Sequence, residues 1–337
     1  MAKKMKTAQT RYFYEMTISS SPHVHSPVTT QTIMRDVLIA LLPALIGSVV
    51  FFGFRALTVT LVSVTACVFF EWAWCRLMKI NCKVYDLSAV VTGVLLAFVC
   101  PVTIPYWTII LGDLFAIVLV KMLFGGLGRN IVNPALAGRA FMFSWPVLMS
   151  NWVKVGFENA APVIGKVDVA TAATPMAALH QGQMCEESIA QLFWGNVGGC
   201  IGETSAFLLL IGFAYLLLRK VITARIPLAY IGTVAILTFL FPLGNARIDW
   251  MLAQVFGGGL MLGAIFMATD YVTSPLTKLG QIVYGIGCGV LTVLIRYFGG
   301  YNEGVSYAIL CMNCCVVLLD RIGRPVKFGA PKKEAAK

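Results

Sequence analysis

Residues 168–175 read D-V-A-T-A-A-T-P: one carboxylate, two hydroxyls and a proline, separated only by alanine and valine. Pro175 pushes the residue before it toward an extended backbone. The flanking alanines let another group come close, so the spacing presents the Thr174 hydroxyl on an accessible, strand-like segment. From these residue types alone, the eight residues read as a plain small-residue loop that displays a hydroxyl. Four further carboxylates, Glu71, Asp113, Glu203 and Asp270, fall in or at the edge of apolar runs. Ionisable groups inside a membrane are costly and functional by default. Glu71 reads as a group solvated at an interface. Asp270 closes a short run and Glu203 opens one, which makes them candidates for an ion path, with structural hydrogen bonding as the alternative.

Cysteine and histidine carry less. Cys311, Cys314 and Cys315 form C-x-x-C-C on nearly one helical face, which superficially suits iron–sulfur ligation, but no fourth ligand stands nearby and the pattern fits buried helix packing. Cys185 and Cys200 are placed where they could pair, though no spacing requires it. His23, His25 and His180 are too few for a histidine metal centre. No P-loop, H-E-x-x-H or G-x-S-x-G occurs, and no catalytic residue or metal site is expected. Gly125, Gly126, Gly128, Asn130 and Asn133 cluster in a turn whose permissive backbone and amide groups suit either a tight turn or the lining of a pocket.

The elements that must position these residues are membrane helices. Of 337 residues 58% are hydrophobic and 12% charged, against about a quarter charged in soluble domains. Apolar runs near the ~20 residues that cross a bilayer are expected at 37–54, 56–74, 87–100, 106–123, 134–149, 203–218, 226–241, 251–268, 281–295 and 305–319. With the N-terminus inside, 21 of the 26 lysines and arginines fall on the cytoplasmic side and 5 outside, the bias of the positive-inside rule. The net charge of +11 therefore reads as a topology signal rather than a nucleic-acid surface. The polar first 30 residues hold no apolar core, so no cleavable signal peptide is expected.

The chain then divides into a cytoplasmic tail (1–36), a first membrane half (37–149), an extracytoplasmic loop (150–202), a second membrane half (203–319) and a second cytoplasmic tail (320–337). Residues 93–105 (G-V-L-L-A-F-V-C-P-V-T-I-P) resemble 263–275 (G-A-I-F-M-A-T-D-Y-V-T-S-P) at an offset of 170, and Gly125-Gly126 echo Gly299-Gly300. Five spans per half force opposite orientations, so the fold class expected is an all-α polytopic membrane protein in a 5+5 inverted repeat. Short, Gly/Pro-interrupted spans at matching positions point to a site at mid-membrane. This architecture alone fits a solute channel or transporter equally well.

The segment 168–174 resembles the flavinylation motif D-x-x-(S/T)-x-A-T of the NqrB/RnfD family, membrane subunits of ion-pumping redox complexes. Further resemblance runs through S-P-H-V (21–24), I-M-R-D-V-L-I-A-L-L-P-A (33–44), F-G-G-L-G-R-N-I-V-N-P-A (124–135), G-G-C-I-G-E-T-S (198–205), F-M-A-T-D-Y-V-T-S-P (266–275), E-G-V-S-Y-A-I-L (303–310) and F-G-A-P-K (328–332). It departs at Tyr271, where the family usually has proline, which loosens the geometry expected at that helix end. With about 36 residues before the first span, the chain resembles the RnfD branch more than NqrB, which carries a longer extension. The resemblance implies FMN joined through its phosphate to Thr174, with Asp168, Thr171, Ala173 and Pro175 completing the motif, and a non-covalent riboflavin. It also implies attachment by a flavin transferase on the outer side and work alongside the other subunits of an Rnf-type complex. Electrons would pass between ferredoxin and NAD, coupled to Na⁺ or H⁺ transport, in the cytoplasmic (inner) membrane of a bacterium or archaeon.

Overall fold

The computed structural model describes residues 28–80, 84–153, 163, 174–185, 187–244, 246–301 and 303–323. Every regular element among them is helical. Helix α1 (Thr30–Phe52) starts at Thr29, whose hydroxyl caps the Thr32 amide, and ends at Gly53. At φ 80° and ψ −174°, Gly53 holds a conformation that only glycine adopts without strain, and it turns the chain directly into α2 (Phe54–Leu77). Helix α3 (Ser88–Phe98) has 11 residues and so rises about 16 Å, roughly half of a hydrocarbon core about 30 Å thick. Helix α4 (Tyr106–Leu114) continues as a π-helical stretch over Phe115–Met122, followed by α5 (Pro134–Met142) and the single turn α6 (Pro146–Met149).

After the long loop come two short helices, α7 (Pro175–His180) and α8 (Ile189–Trp194), then α9 (Ala206–Leu218) and α10 (Arg225–Leu240). Helix α11 (Arg247–Phe256) bends by 61° into α12 (Leu260–Leu262), which a π turn extends over Gly263–Met267. Helices α13 (Lys278–Phe298) and α14 (Val305–Leu319) close the described chain.

These helices lie where the apolar runs place spans, but they are not ten uniform crossings. Among the described residues, only α1, α2 and α13 are long and apolar enough to cross alone, and the bent α11–α12 pair adds a fourth. The expected continuous spans 134–149 and 251–268 are interrupted, the first before Pro146 and the second at Gly257-Gly258-Gly259. Proline cannot extend a hydrogen-bonded helix interior and glycine weakens it.

The packing order recurs along the chain. Helix α2 packs on both α3 and α4, and α4 packs on α5; α10 packs on both α11 and α13, and α13 on α14. The two series meet through like members, α1 against α9 and α5 against α14, as a two-fold repeat would arrange them. Gly93 allows the α2–α3 contact: a Cβ there would stand 2.8 Å from the Val64 Cα, so any larger residue separates the backbones. Leu96, Phe98, Ile109, Leu136, Leu209, Leu260 and Ile265 fill the space between the series. Leu42, Ile46, Leu61, Phe69, Trp72, Ile236 and Leu294 face outward, an apolar exterior suited to lipid or to partner subunits.

Four of the basic residues counted toward topology are buried: Arg55, Lys121, Arg139 and Arg296. Arg55, for example, donates to the Val102 and Ile104 carbonyls at 2.9 and 3.3 Å. Two of the four count toward each side, so the bias survives without them.

Candidate functional site around Thr174

Thr174 has φ −76° and ψ 149°, the extended conformation Pro175 imposes, and stands as the residue before α7. Its carbonyl accepts from the Ala177 amide at 2.9 Å, but its side chain makes no capping hydrogen bond. It is not openly accessible, as the loop composition suggested; it is 7% exposed. Burial comes from the helix it leads into. Pro175, Met176 and Leu179 turn inward, and Met176 and Leu179 pack with Leu192, Val197, Trp250 and Ala253 from α8, α11 and the loop between α8 and α9. Two polar contacts fasten this layer: His180 Nδ1 lies 2.7 Å from the Arg296 carbonyl, and Trp250 Nε1 donates to the Tyr297 hydroxyl at 2.8 Å. Asp168, Thr171 and Ala173 lie outside the described residues.

Thr174 stands at the wall of a narrow cleft shared with Gly198, Gly199, Gly257, Gly258, Glu203 and Glu303. Its closed space is about 20 Å³, enough for roughly one water. Behind it lies a buried ionic group. Arg139 on α5 donates to Glu203 Oε1 at 3.2 Å and to Glu303 Oε2 at 2.6 Å, and also to Ser306 Oγ at 2.9 Å. Cys200, Glu203 and Glu303 bring donor atoms within 4.8 Å of one another, yet the Arg139 guanidinium occupies that centre as their counter-charge. Arg296 is held separately, by Gln254 and the Gly257 carbonyl. Glu203, an ion-path candidate, is thus ion-paired beside Thr174.

Asp270, the other ion-path candidate, is not brought to this site. It accepts from the Thr273 hydroxyl at 3.0 Å and the Val272 amide at 3.5 Å, closing its own turn, and lines a different crevice with Ile33, Ser88, Asn133 and Tyr271. Tyr271 donates to the Val221 carbonyl, a contact that proline could not make. Cys185 and Cys200 are free thiols rather than a pair. Cys200 donates to the Val99 carbonyl at 3.2 Å and Cys185 to the Glu187 carbonyl. Burial, helped by the Glu187 carboxylate, holds the Cys185 thiol above its ordinary range. Cys311, Cys314 and Cys315 are exposed, not packed inside the chain as expected.

A second site lies at the opposite end of α3. There Glu71, Cys75, Tyr85, Asp86, Met122, Gly125 and Gly126 line a cavity of about 640 Å³. Glu71 is not solvated at a headgroup; it is buried against Lys121 Nζ at 2.8 Å. Asn130 bonds the Val132 carbonyl, and Asn133 caps α5 and donates to the Met267 carbonyl at 3.2 Å, so Gly125 and Gly126 line the cavity while the asparagines hold the turn. Sequence reasoning missed Lys121, Arg139 and Glu303 as partners. The available signal was the presence of basic residues at the ends of apolar runs that also contain carboxylates.

An all-helical chain with an apolar exterior, broken helices and buried ion pairs is an integral membrane protein. Residues 17–329 match the family described as NQR2, RnfD, RnfE, and the chain belongs to that family. It is 46% identical to the D-lettered component of the Na(+)-translocating ferredoxin:NAD(+) oxidoreductase complex of Acetobacterium woodii, covering 95% of this chain and 98% of that one. It is 43% identical to the D-lettered component of the proton-translocating ferredoxin:NAD(+) oxidoreductase complex of Clostridium ljungdahlii, over 93% and 96% of the two chains. Identity to the corresponding component of the ion-translocating oxidoreductase complex of Actinobacillus succinogenes is 34%, over 91% and 96%.

Proposed function

We propose that this chain is a membrane subunit of an ion-translocating electron-transport complex. It carries FMN joined through its phosphate to Thr174 and relays electrons between ferredoxin and NAD, coupled to Na⁺ or H⁺ transport. The relatives above are named as parts of oxidoreductase complexes, which sets the channel reading aside. Two of them are named for different ions, so the ion is left as either.

The observation that carries the reading is a mismatch of size. The Thr174 side chain is not used to cap its helix and lines a cleft, but about 20 Å³ cannot enclose a three-ring cofactor, since ligand pockets run to about 300–1,000 Å³. A hydroxyl left out of its helix cap and held at a fixed backbone angle suits covalent attachment of a group that extends beyond the cleft. The residues fit the phosphate end of such a group: Thr174 offers the oxygen, and Gly198, Gly199, Gly257 and Gly258 line the cleft beside it without side chains of their own. Once bound, the flavin supplies the electron transfer, while the protein positions it and tunes its surroundings. Pro175 and the packing of Met176 and Leu179 hold the oxygen in place, and Arg139 neutralises the two carboxylates that would otherwise repel a phosphate.

The cavity lined by Glu71, Asp86, Gly125 and Gly126 has the opposite character. At about 640 Å³ it has room for an untethered ligand, and its carboxylates suit the hydroxyls of a neutral sugar-alcohol chain. We assign it to riboflavin. Other subunits of the complex supply the ferredoxin and NAD sites, and a flavin transferase makes the Thr174 bond at the outer face.

Coexpression with a flavin transferase tests the tether. The denatured band should fluoresce as flavin, and intact mass should show one added nucleotide. Thr174→Ser retains the label and Thr174→Ala loses it. A dark wild-type band, or equal labelling of Thr174→Ala, overturns the assignment.

A further inference from the structure

Ser63 and Cys67 on α2, Asp113 on α4 and the Gly93 carbonyl on α3 meet in one buried group. Ser63, Cys67 and Asp113 are each 0% exposed. Ser63 Oγ lies 2.9 Å from the Gly93 carbonyl oxygen and 2.7 Å from Asp113 Oδ1. Cys67 Sγ donates to the same Oδ1 at 3.2 Å. Asp113 Oδ2 has no partner.

A hydroxyl has a single hydrogen to donate, so Ser63 cannot serve both acceptors. Two oxygens 2.7 Å apart with no hydrogen between them repel. The arrangement is satisfied when Asp113 carries a proton: its O–H donates to Ser63 Oγ, and Ser63 donates onward to Gly93. Oδ2 has no donor in either form, and in the ionised form it would be the unpaired end of a buried, uncompensated charge, which costs far more than a neutral carbonyl. No described charged group pairs with it. Helix α2 brings Ser63, Cys67 and, one turn on, Glu71. Helix α3 brings a carbonyl, and α5 brings Gly138 and Met142 against the neighbouring Gly112. Lys121, two turns along α4, is bound to Glu71 at 2.8 Å and Ser88 at 2.6 Å.

We propose that Asp113 is a proton-binding site loaded from the cavity that Glu71 and Asp86 line. Ser63, Cys67 and Glu71 are spaced four residues apart on one face of α2, so they lead from Asp113 to the cavity wall. At that wall Lys121 joins Glu71 to Ser88, and Ser88 donates to Asp86 Oδ1 at 2.6 Å. The gap between the two groups is one helical turn. It runs alongside the π-helical stretch of Phe115–Met122, a backbone form found frequently at functional sites. Exchange moves protons only: the Asp113 proton passes out to water in the cavity and a proton from that water replaces it by the same route, with no oxidant or reductant. The proposal goes beyond the Thr174 flavin and does not need it, because Thr174→Ala protein keeps the site. It shares only the cavity wall with the riboflavin assignment, and the Asp113 band is read on chain purified without riboflavin.

Infrared spectra of the purified full chain in vesicles test it. At neutral pH the wild type should show the carbonyl band of a protonated carboxyl, shifted down in D₂O. Asp113→Asn loses one such band, and Asp113→Glu moves it, which serves if the asparagine variant does not fold. Ser63→Ala keeps the band at higher frequency, because the O–H has lost its acceptor. Glu71→Gln combined with Lys121→Met slows its exchange with D₂O. Identical spectra for wild type, Asp113→Asn and Asp113→Glu overturn the site, and exchange unchanged in the double variant overturns the loading route.

Discussion

Replacing Arg139 with methionine separates an ionic role from a packing role. The side chain is 3% exposed and serves Glu203 and Glu303 together. Removing one partner from a buried pair costs about 3–5 kcal/mol. Here two carboxylates remain, with oxygens no more than 4.8 Å apart. At an effective dielectric constant of about 20, that separation adds about 3.5 kcal/mol of repulsion unless one carboxylate takes up a proton. Arg139→Met should therefore destabilise the full chain by at least about 3 kcal/mol in detergent-titrated unfolding. Adding Glu303→Gln to Arg139→Met removes the repulsion and should recover a large part of that loss, although Glu303→Gln alone destabilises the wild type. This reversal of sign identifies charge as the cause, since lost packing around Phe143, which the guanidinium faces at 5.6 Å, would not be restored by an amide elsewhere. A loss below about 1 kcal/mol, the scale of an exposed pair, would refute the reasoning. So would a double variant whose loss is simply the sum of the two single losses.

Three further outcomes follow from the same geometry. Lys121→Met leaves Glu71 buried and unpaired and should cost about 3–5 kcal/mol, whereas Lys121→Met with Glu71→Met should unfold near the wild-type midpoint. Gly53→Ala forces a Cβ into the φ 80° turn between α1 and α2 and should cost about 1–3 kcal/mol by the same unfolding assay. In detergent, maleimide should label Cys311, Cys314 and Cys315 without denaturant, while buried Cys67, Cys100, Cys200 and Cys288 react only after unfolding, as mass spectrometry of the digested chain would show.

Much of the frame was legible because apolar runs and their breakers act locally. The extended backbone at Thr174 was readable from Pro175, and α3 was readable as short from the residues that close it. The burial of Thr174 was not, because the residues that cover its layer, Trp250 and Ala253, come from a helix more than seventy residues away. The same holds for the ionic groups. Arg139 and Glu303 are separated by 164 positions and Lys121 and Glu71 by 50. Each residue alone looked like a topology signal or an interfacial charge. Opposite charges in apolar runs that pack together should be read as pairs first, since neither can be buried alone.

The repeat shows where function has departed from framework. Tyr284 and Thr292 are buried on α13, the helix that holds the place of α4 in the second series. Tyr284 bonds Asn313 and Thr292 bonds Tyr230, both at 2.6 Å. At these two residues α13 meets its neighbours through neutral side chains, while α4 meets its neighbours through a carboxyl and an ion pair. If polarity at these positions served helix packing alone, neutral partners would suffice in both halves at lower desolvation cost. A buried carboxyl and ion pair held along α4, next to the larger cavity, is the arrangement expected when a shared scaffold has been specialised to take up charge from one face.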